Sequence, residues 1–279
     1  MTTMNQIRNA WNTLAGGYDA FVTPANISLA EKALRLVGLR PGMNFLDVAA
    51  GTGALSIPAA RLGAQVAATD ISPAMIELLD ARARQAGLSN LESCVMDAQA
   101  LDLEDNAFDL AGSQYGVMLV PDFPRALREM VRVTRPGGRV LIIAFGPSTQ
   151  VEFLKFFLGA MKKVIPGFTG LPMDPPPLPF QLADPEKLRQ EMVNANLKDV
   201  RVERRTHELE FKSAEHFLDH ITSSNPIGAK WVDGLTQEQR LAVQQVLEGL
   251  LRERAGGSDT ALLTHPTNIA VGSKPAALS

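Results

Sequence analysis

Three aspartates and two glycines in the first half of the chain have the types and spacing of a cofactor site. Gly51-Thr52-Gly53 directly follows a short apolar run, and Asp47 lies within that run. Asp70 ends the next apolar run, and Asp97 follows the third. A strand, a glycine turn and the start of a helix form a cleft for a nucleotide-like ligand, and an acid ending the second strand suits ribose hydroxyls. The spacing therefore predicts a cofactor site where three successive strands end.

Asp47 distinguishes between the cofactors that such a cleft could bind. A carboxylate beside the first turn repels a pyrophosphate docked at the helix N-terminus. Position 56 is serine, so the third glycine of a dinucleotide-binding turn is missing. The same carboxylate tolerates a ligand that has an ammonium group and no phosphate. S-adenosylmethionine is such a ligand, and these residues favour it over NAD.

Four motifs resemble those of a known enzyme family. They are Leu46-Asp-Val-Ala-Ala-Gly-Thr-Gly53, Thr69-Asp-Ile-Ser-Pro73, Met96-Asp-Ala98 and Arg135-Pro-Gly-Gly138. In this order they resemble the class I S-adenosylmethionine-dependent methyltransferases, and they are most similar to the small-molecule branch of the ubiquinone/menaquinone-biosynthesis type. The clear resemblance covers about residues 36–145. It implies an enzyme that uses S-adenosylmethionine and releases S-adenosylhomocysteine.

The resemblance implies roles for residues around the methionine and ribose parts of the cofactor. The backbone of Gly51 and Gly53 would approach the methionine part, and Ala49 belongs to the same predicted site. Asp47 would lie near the amino group, directly or through water. Asp70 resembles the acid that binds both ribose hydroxyls, and its alternative role is that of an ordinary helix-entry residue.

The adenine end of the site is predicted from the next motifs. Ile71 and Met75 would border the ring, although Met75 also suits the core. Asp97 resembles the residue that accepts a hydrogen bond from the adenine amino group, and Ala98 would offer its backbone N–H. A turn aspartate is the alternative for Asp97.

Three further residues are expected near the reaction site. Gln114, at the end of the fourth apolar run, faces the reaction site in such folds. Tyr18 resembles an N-terminal tyrosine that closes over the cofactor, which also makes it a candidate catalytic residue; packing is the alternative. For Tyr115, contact with a ligand is left open.

These residues meet only if the chain forms a parallel sheet. Apolar runs predict strands at 44–49, 65–69, 91–96, 108–113 and 138–145, with helices at 55–62, 73–85 and 124–134 between them. This alternation indicates an α/β fold with helices on both faces of the sheet. Together with the resemblance, it predicts a Rossmann-like three-layer sandwich with a mostly parallel seven-stranded sheet, an antiparallel last strand and a helical lid.

The chain is expected to have three parts. Residues 1–40 form N-terminal helices that cover the cofactor, with a break near Gly16-Gly17 and a second helix at 26–37. Residues 41–146 form the S-adenosylmethionine-binding core. Residues 147–279 provide helical and proline-rich lid insertions and the strands 200–211 and 262–272 that complete the sheet. Helices in this part are predicted at 151–164, 185–195, 214–222 and 237–254.

Composition limits the partners. The net charge is −3 and the sequence pI is about 5.9, so the basic surface that a nucleic-acid backbone requires is not expected. Cys94 is the single cysteine, the N-terminus lacks a signal-peptide pattern, and no apolar stretch is long enough for a membrane span. The chain is therefore predicted to be cytoplasmic, with a small-molecule acceptor and no metal. A homodimer is compatible with the sequence, which does not determine the oligomeric state.

The second half of the chain is expected to bind the acceptor. A phenylalanine-rich helix and the proline-rich segment 165–179 suit a lid over a flat, apolar, aromatic or quinone-like metabolite, methylated on oxygen or nitrogen in preference to carbon. A surface excursion packed on the sheet edge is the alternative for this segment. The alternatives for function are a methyltransferase acting on RNA or protein and a non-catalytic S-adenosylmethionine-binding module.

A general base for this chemistry is sought among the histidines. His216 and His220 lie four residues apart on one predicted helix. Either could act as the base, with His216 as the preferred candidate, and ordinary surface histidines are the alternative. His207 is expected to be structural or exposed, and His265 is given no role.

Overall fold

The computed structural model describes residues 4–172, 174–224 and 226–276. Within them, one seven-stranded sheet has the order β3-β2-β1-β4-β5-β7-β6. The strands are β1 (Asn44–Val48), β2 (Gln65–Asp70), β3 (Leu91–Val95), β4 (Phe108–Gln114), β5 (Thr134–Phe145), β6 (Lys198–Phe211) and β7 (Ala261–Ser273). Strands β1 to β5 pair in parallel, and β7 pairs antiparallel with both β5 and β6. The predicted mostly parallel sheet with an antiparallel last strand is confirmed.

Helices cover both faces of the sheet. The ranges are α1 (Met4–Gly17), α2 (Thr23–Val37), α3 (Ser56–Arg61), α4 (Pro73–Gln85), α5 (Phe123–Val133), α6 (Glu152–Val164), α7 (Pro185–Asn194), α8 (Ala214–Ser224), α9 (Pro226–Asp233) and α10 (Gln237–Ala255). Helix α4 has the predicted bounds, and the others that were predicted agree within a few residues. Helix α9 was not predicted. None of the described helices is long and apolar enough to cross a membrane.

The N-terminal break takes the form of a change in helix type. The chain remains helical from α1 to α2 because the residues between them, Tyr18–Val22, form a π-helical segment. The expected break near Gly16-Gly17 is thus a change from α- to π-helix at Tyr18, without an intervening loop. A side-chain carbon on Gly17 would lie only 2.3 Å from the Ser223 hydroxyl, so the glycine lets α8 pack closely against this segment.

Capping residues set where α4 begins and where α2 ends. Ser72 accepts a hydrogen bond from the Met75 backbone N–H at 3.1 Å and caps α4, whose first residue is proline. Gly38 ends α2 in a left-handed conformation with φ 74°. These caps were visible in the sequence, and they place the start of α4 beside the end of β2.

Two hydrophobic clusters hold the described chain together. The first surrounds the sheet, where β1 and β4 are buried along nearly their whole length. The second joins α6, α8 and α10 to the ends of β6 and β7 through side chains such as Phe157, Phe211 and Phe217. The space between the two clusters contains the larger of the cavities described below.

Candidate functional site

A first cavity, named here the cofactor cavity, opens where β1, β2 and β3 end. It encloses about 640 Å³, counting its mouth. Most of the residues predicted to bind the cofactor line it: Tyr18, Ala49, Gly51, Asp70, Ile71, Met75, Asp97 and Ala98. Three predicted residues, Asp47, Gly53 and Gln114, are not among the residues that line it.

The two glycines of the first turn have different functions. The Gly51 backbone has φ 55° and lines the cavity, and a side-chain carbon there would lie 3.1 Å from the Tyr18 ring. At Gly53 such a carbon would contact Ile57 at 3.1 Å and Leu79 at 3.2 Å. Gly53 therefore lets α3 and α4 pack together, and the structure does not place it against the ligand space as the motif had suggested.

Asp47 and Gln114 contribute buried oxygens without hydrogen-bond partners. The Asp47 carboxylate is fully buried and accepts a 2.5 Å hydrogen bond from the Ser56 hydroxyl. Burial raises the pKa of Asp47 to about 7, against the lowering effect of the Ser56 bond. Gln114 donates to the Asn26 carbonyl at 3.1 Å. Among the described residues, neither Asp47 Oδ1 nor Gln114 Oε1 has a partner, so both can accept hydrogen bonds from an ammonium group or water.

These two side chains lie on the same face of neighbouring strands. Asp47 is paired in register with Gly112 of β4, and Gln114 is two residues further along that strand. Two unpaired acceptors at the carboxyl ends of adjacent strands fit the amino-acid tail of S-adenosylmethionine.

Asp70 connects the glycine turn to the start of α4. One carboxylate oxygen accepts the Gly51 N–H and the other accepts the Ser72 N–H, each at 2.9 Å. Burial raises the pKa of Asp70, and these bonds act in the opposite direction. Because a carboxylate oxygen accepts more than one hydrogen bond, both oxygens retain capacity for ribose hydroxyls. Ser72 caps the helix, so Asp70 is free of that function.

Asp97 has the geometry of a turn aspartate and also lines the cavity. Its Oδ1 accepts the Gln99 backbone N–H at 2.9 Å and the Gln99 side-chain amide at 3.1 Å. The Gln99 side-chain oxygen in turn accepts the Asp122 N–H at 3.0 Å. This network fixes the Asp97–Ala98 corner. The sequence had not indicated Gln99.

Helix α1 covers the cofactor cavity. Met4, Ile7 and Trp11 line it, although none was predicted to do so. In α1, the Asn12 side-chain oxygen accepts a hydrogen bond from the Ser72 hydroxyl, at the N-cap of α4, at 2.6 Å. In the π-helical segment that follows, Asp19 pairs with Arg82 of α4 at 2.6 Å. Trp11 and Tyr18 are seven residues apart, so helical periodicity puts both on one face, and this spacing is readable in the sequence.

A second cavity, named here the acceptor cavity, adjoins the first. It encloses about 940 Å³, counting its mouth, and is bounded by α2, α6, α8, α9, β7 and the proline-rich segment. Its described lining residues include no Asp, Glu, Lys or Arg. Tyr18, Tyr115 and Leu119 line both cavities. The two cavities therefore share part of their walls.

Tyr115 holds its place in this wall through an unusual backbone conformation. Its φ is 56°, in the left-handed region that a bulky residue rarely adopts. Three contacts maintain it: its N–H donates to the Ile143 carbonyl at 2.8 Å, its hydroxyl is 2.7 Å from the Thr267 hydroxyl, and its ring stacks on Phe145. Strained residues of this kind concentrate at functional sites because the surrounding structure must over-determine them.

A family model described as a methyltransferase domain matches residues 46–142, which contain the glycine turn, Asp70 and Asp97. This segment is a class I S-adenosylmethionine-dependent methyltransferase domain. The predicted family is thereby confirmed for this part of the chain.

Relatives match about half of the chain. An uncharacterized protein of Mycobacterium tuberculosis is 41% identical over 130 residues, which cover 47% of each chain. The ubiquinone/menaquinone biosynthesis C-methyltransferase UbiE of Hydrogenovibrio crunogenus is 30% identical over 162 residues, covering 55% of this chain and 64% of that enzyme. The chain spans about half the length of the mycobacterial relatives it matches.

Solved structures share the fold over most of the chain. The YcgJ protein from Bacillus subtilis gives a TM-score of 0.55 at 17% identity, covering 90% of this chain and 98% of that one. Phosphoethanolamine N-methyltransferase 2 of Haemonchus contortus, solved with phosphomonomethylethanolamine and S-adenosylhomocysteine, gives 0.55 at 20% identity, covering 89% and 52%. At these identities the likeness shows the fold, which is the Rossmann-like methyltransferase architecture predicted above.

The two histidines considered as bases, His216 and His220, take different positions in the structure. His216, the candidate base, lines neither cavity; its ring packs on Phe21 and Phe211, and its Nδ1 accepts the Lys212 N–H at 3.3 Å. The structure therefore gives His216 no position for that role. His220 and His265 line the acceptor cavity instead.

The two cavity histidines rest in the neutral form. Burial, together with the smaller effect of neighbouring histidines, lowers the pKa of His220 to about 4 and that of His265 to about 3. His207 is also buried, with its Nε2 3.1 Å from the Ala25 carbonyl, as the structural alternative predicted. No sequence signal separated His265 from the others, because its surroundings come from strands and helices distant in the chain.

Proposed function

We propose that this chain transfers the methyl group of S-adenosylmethionine to a small, uncharged, largely apolar acceptor. The observation that carries this proposal is the pair of adjoining cavities with Tyr18, Tyr115 and Leu119 as a common wall. Methyl transfer needs two ligands aligned across a short distance, and this arrangement positions one on each side of that wall.

The lining of the cofactor cavity fits S-adenosylmethionine part by part. Asp70 would accept the ribose hydroxyls, the Asp97–Ala98 corner with Ile71 and Met75 would border the adenine, and Asp47 with Gln114 would receive the amino group. The bound cofactor supplies an already activated methyl group on its sulfonium. The chain's own contribution is therefore to hold, align and desolvate the two partners.

The acceptor cavity favours an uncharged aromatic acceptor. Phe145, Phe153, Phe180 and Trp231 offer flat apolar surfaces, and no described lining residue could pair with a phosphate or carboxylate. Burying an unpaired charge in such a cavity would cost far more than burying an aromatic ring. Phosphomonomethylethanolamine, the ligand of the Haemonchus contortus enzyme, does not suit this lining.

We further propose that the methylated atom is oxygen or nitrogen. Two neutral imidazoles in the cavity can accept a hydrogen bond from a hydroxyl or amine and orient it. The relatives named C-methyltransferases make carbon the alternative. The single, exposed Cys94 supports a reducing, cytoplasmic location for the reaction.

The test begins with calorimetry of S-adenosylmethionine and NAD on the same preparation. We expect binding of the former at sub-millimolar concentration and none of the latter. Release of S-adenosylhomocysteine is then screened against phenols, hydroquinones, aromatic amines, RNA and peptides, with carboxylated analogues of each active compound as matched controls. Absence of S-adenosylmethionine binding would overturn the proposal. Binding with no release from any acceptor would favour the non-catalytic module, and release only with RNA or peptides would exclude a small-molecule acceptor.

A further inference from the structure

Two buried imidazoles stand out in the uncharged wall of the acceptor cavity. His220 comes from α8 and His265 from β7, and the Phe153 ring packs edge-on against both. The other titratable lining residues described are the phenols Tyr18 and Tyr115. Burial raises the pKa of both phenols, so they stay protonated and cannot take up a further proton at neutral pH.

His265 is the imidazole next to the wall shared with the cofactor cavity. Its ring centroid lies 6.1 Å from that of Tyr115 and 5.0 Å from that of Phe145, on which Tyr115 stacks. An acceptor atom in contact with this imidazole therefore lies close to the place where the two cavities meet.

The orientation of His265 is fixed through Tyr115. The Thr267 hydroxyl lies 3.3 Å from His265 Nδ1 and 2.7 Å from the Tyr115 hydroxyl. Phe145, Phe153 and His207 pack around the ring at large interplanar angles. In the tautomer in which Nδ1–H donates to the Thr267 hydroxyl oxygen, Nε2 has the free lone pair and is the nitrogen that can take up a proton. The packed rings leave the imidazole little freedom to turn.

From this geometry we propose that His265 receives the proton of a hydroxyl-bearing acceptor and that His220 is a second polar contact that orients it. The proposal rests on the proposed methyl transfer. His207 is engaged with the Ala25 carbonyl and His216 lies outside the cavity, so neither competes for this role. His265 would be a catalytic residue, and Thr267 and Tyr115 would be positioning residues.

The step balances in atoms and charge. The acceptor oxygen forms a bond to the methyl carbon with one lone pair, while the carbon–sulfur bond breaks and its electron pair remains on sulfur. The O–H proton passes to Nε2 of His265, and the imidazolium later releases it to water. One positive charge is present on the sulfonium before the step and one on the imidazolium after it, so the buried site keeps the same net charge.

Ligand binding tests the contact without turnover. In the presence of S-adenosylhomocysteine, the affinities of 4-nitrophenol and nitrobenzene are compared by calorimetry, because the two differ in the hydroxyl alone. We expect wild type to prefer 4-nitrophenol by about five- to tenfold, as for one hydrogen bond. His265→Phe should lose most of this preference, with His220 as the remaining polar contact, and His216→Ala should keep it.

Turnover provides the second readout through its pH profile. A general base contributes about 10²- to 10⁴-fold. With 4-nitrophenol and S-adenosylmethionine, His265→Gln should reduce kcat at least a hundredfold at a pH where the phenol is un-ionised. The deficit should nearly vanish where solution already supplies the phenolate. Thr267→Val, which removes only the anchor, should lower kcat about tenfold with an unchanged KM for S-adenosylmethionine.

Three results would overturn the inference: a hydroxyl preference retained in His265→Phe, a pH-independent deficit in His265→Gln, or a wild type that binds S-adenosylmethionine but neither binds nor methylates 4-nitrophenol. Each leaves cofactor binding intact and is thereby distinct from failure of the proposed function, in which S-adenosylmethionine itself does not bind. Cofactor calorimetry on every variant verifies folding, and Thr267→Val carries the test if a His265 variant does not fold.

Discussion

Replacing Asp70 should weaken cofactor binding without unfolding the chain. In Asp70→Ala, the carboxylate that accepts the Gly51 and Ser72 N–H groups is removed, and with it the acceptor proposed for the ribose hydroxyls. A hydrogen bond to a charged group contributes about 1.5–3 kcal/mol, which corresponds to roughly a 10- to 150-fold increase in Kd. We expect a loss in this range for S-adenosylmethionine.

Calorimetry with two ligands separates the causes of that loss. S-adenosylhomocysteine has the same ribose and lacks the sulfonium charge. If Asp70 acts through the ribose hydroxyls, both ligands should weaken by the same factor; if it acts through its charge alone, S-adenosylmethionine should weaken more. Asp102→Ala removes an exposed aspartate distant from the cavity lining and serves as the control.

The reasoning would be refuted by a Kd for Asp70→Ala within threefold of wild type, provided that the melting temperature shows a folded protein. A large drop in melting temperature would instead show that the carboxylate mainly holds the Gly51 turn against α4. In that case the comparison is repeated with Asp70→Asn, which keeps one acceptor oxygen for the turn.

Three further outcomes follow from the contacts of the site. Asp19→Asn should break the pair with Arg82 and speed cofactor release severalfold in stopped-flow measurements. The free energy of unfolding should change little because the pair is partly exposed. Unchanged release would show that α1 does not cover the cofactor. Because the pKa of Asp47 is raised, its charge lowers the stability of the folded protein above about pH 7, and this cost disappears as pH falls toward 3.8. Asp47→Asn should therefore raise the melting temperature of the apo protein more at pH 8 than at pH 5. An equal rise at the two pH values would contradict this. Phe180→Ala should raise the acceptor KM about tenfold and leave the Kd of S-adenosylmethionine unchanged. The reason is that Phe180 lines the acceptor cavity and not the cofactor cavity. A change in that Kd would show that the two cavities are not separate.

Features that depend on residues close together in the chain can be read from the sequence. The apolar runs, the Ser72 cap and the glycine turn all act within one strand or one helical turn, so their pattern is readable along the chain. Because parallel strands bring their carboxyl ends to one edge, the sequence predicts that Asp70 and Asp97 lie at that edge, and both line the cofactor cavity. The methyltransferase fold followed from these local signals and the order of the motifs.

Which residues of the second half line the acceptor cavity depends on tertiary packing. His216 and His220 share a predicted helix face, yet packing against the neighbouring elements leaves one outside the cavity and brings the other into its wall. Tyr115 and Thr267 are 152 positions apart, and their hydroxyls meet because β7 inserts beside β5 in the sheet. Helical and strand periodicity specify which side of an element is apolar, but the partner of that side depends on long-range packing. For this reason most of the lining of the cofactor cavity could be predicted from the sequence, whereas His265 and the acceptor cavity could not.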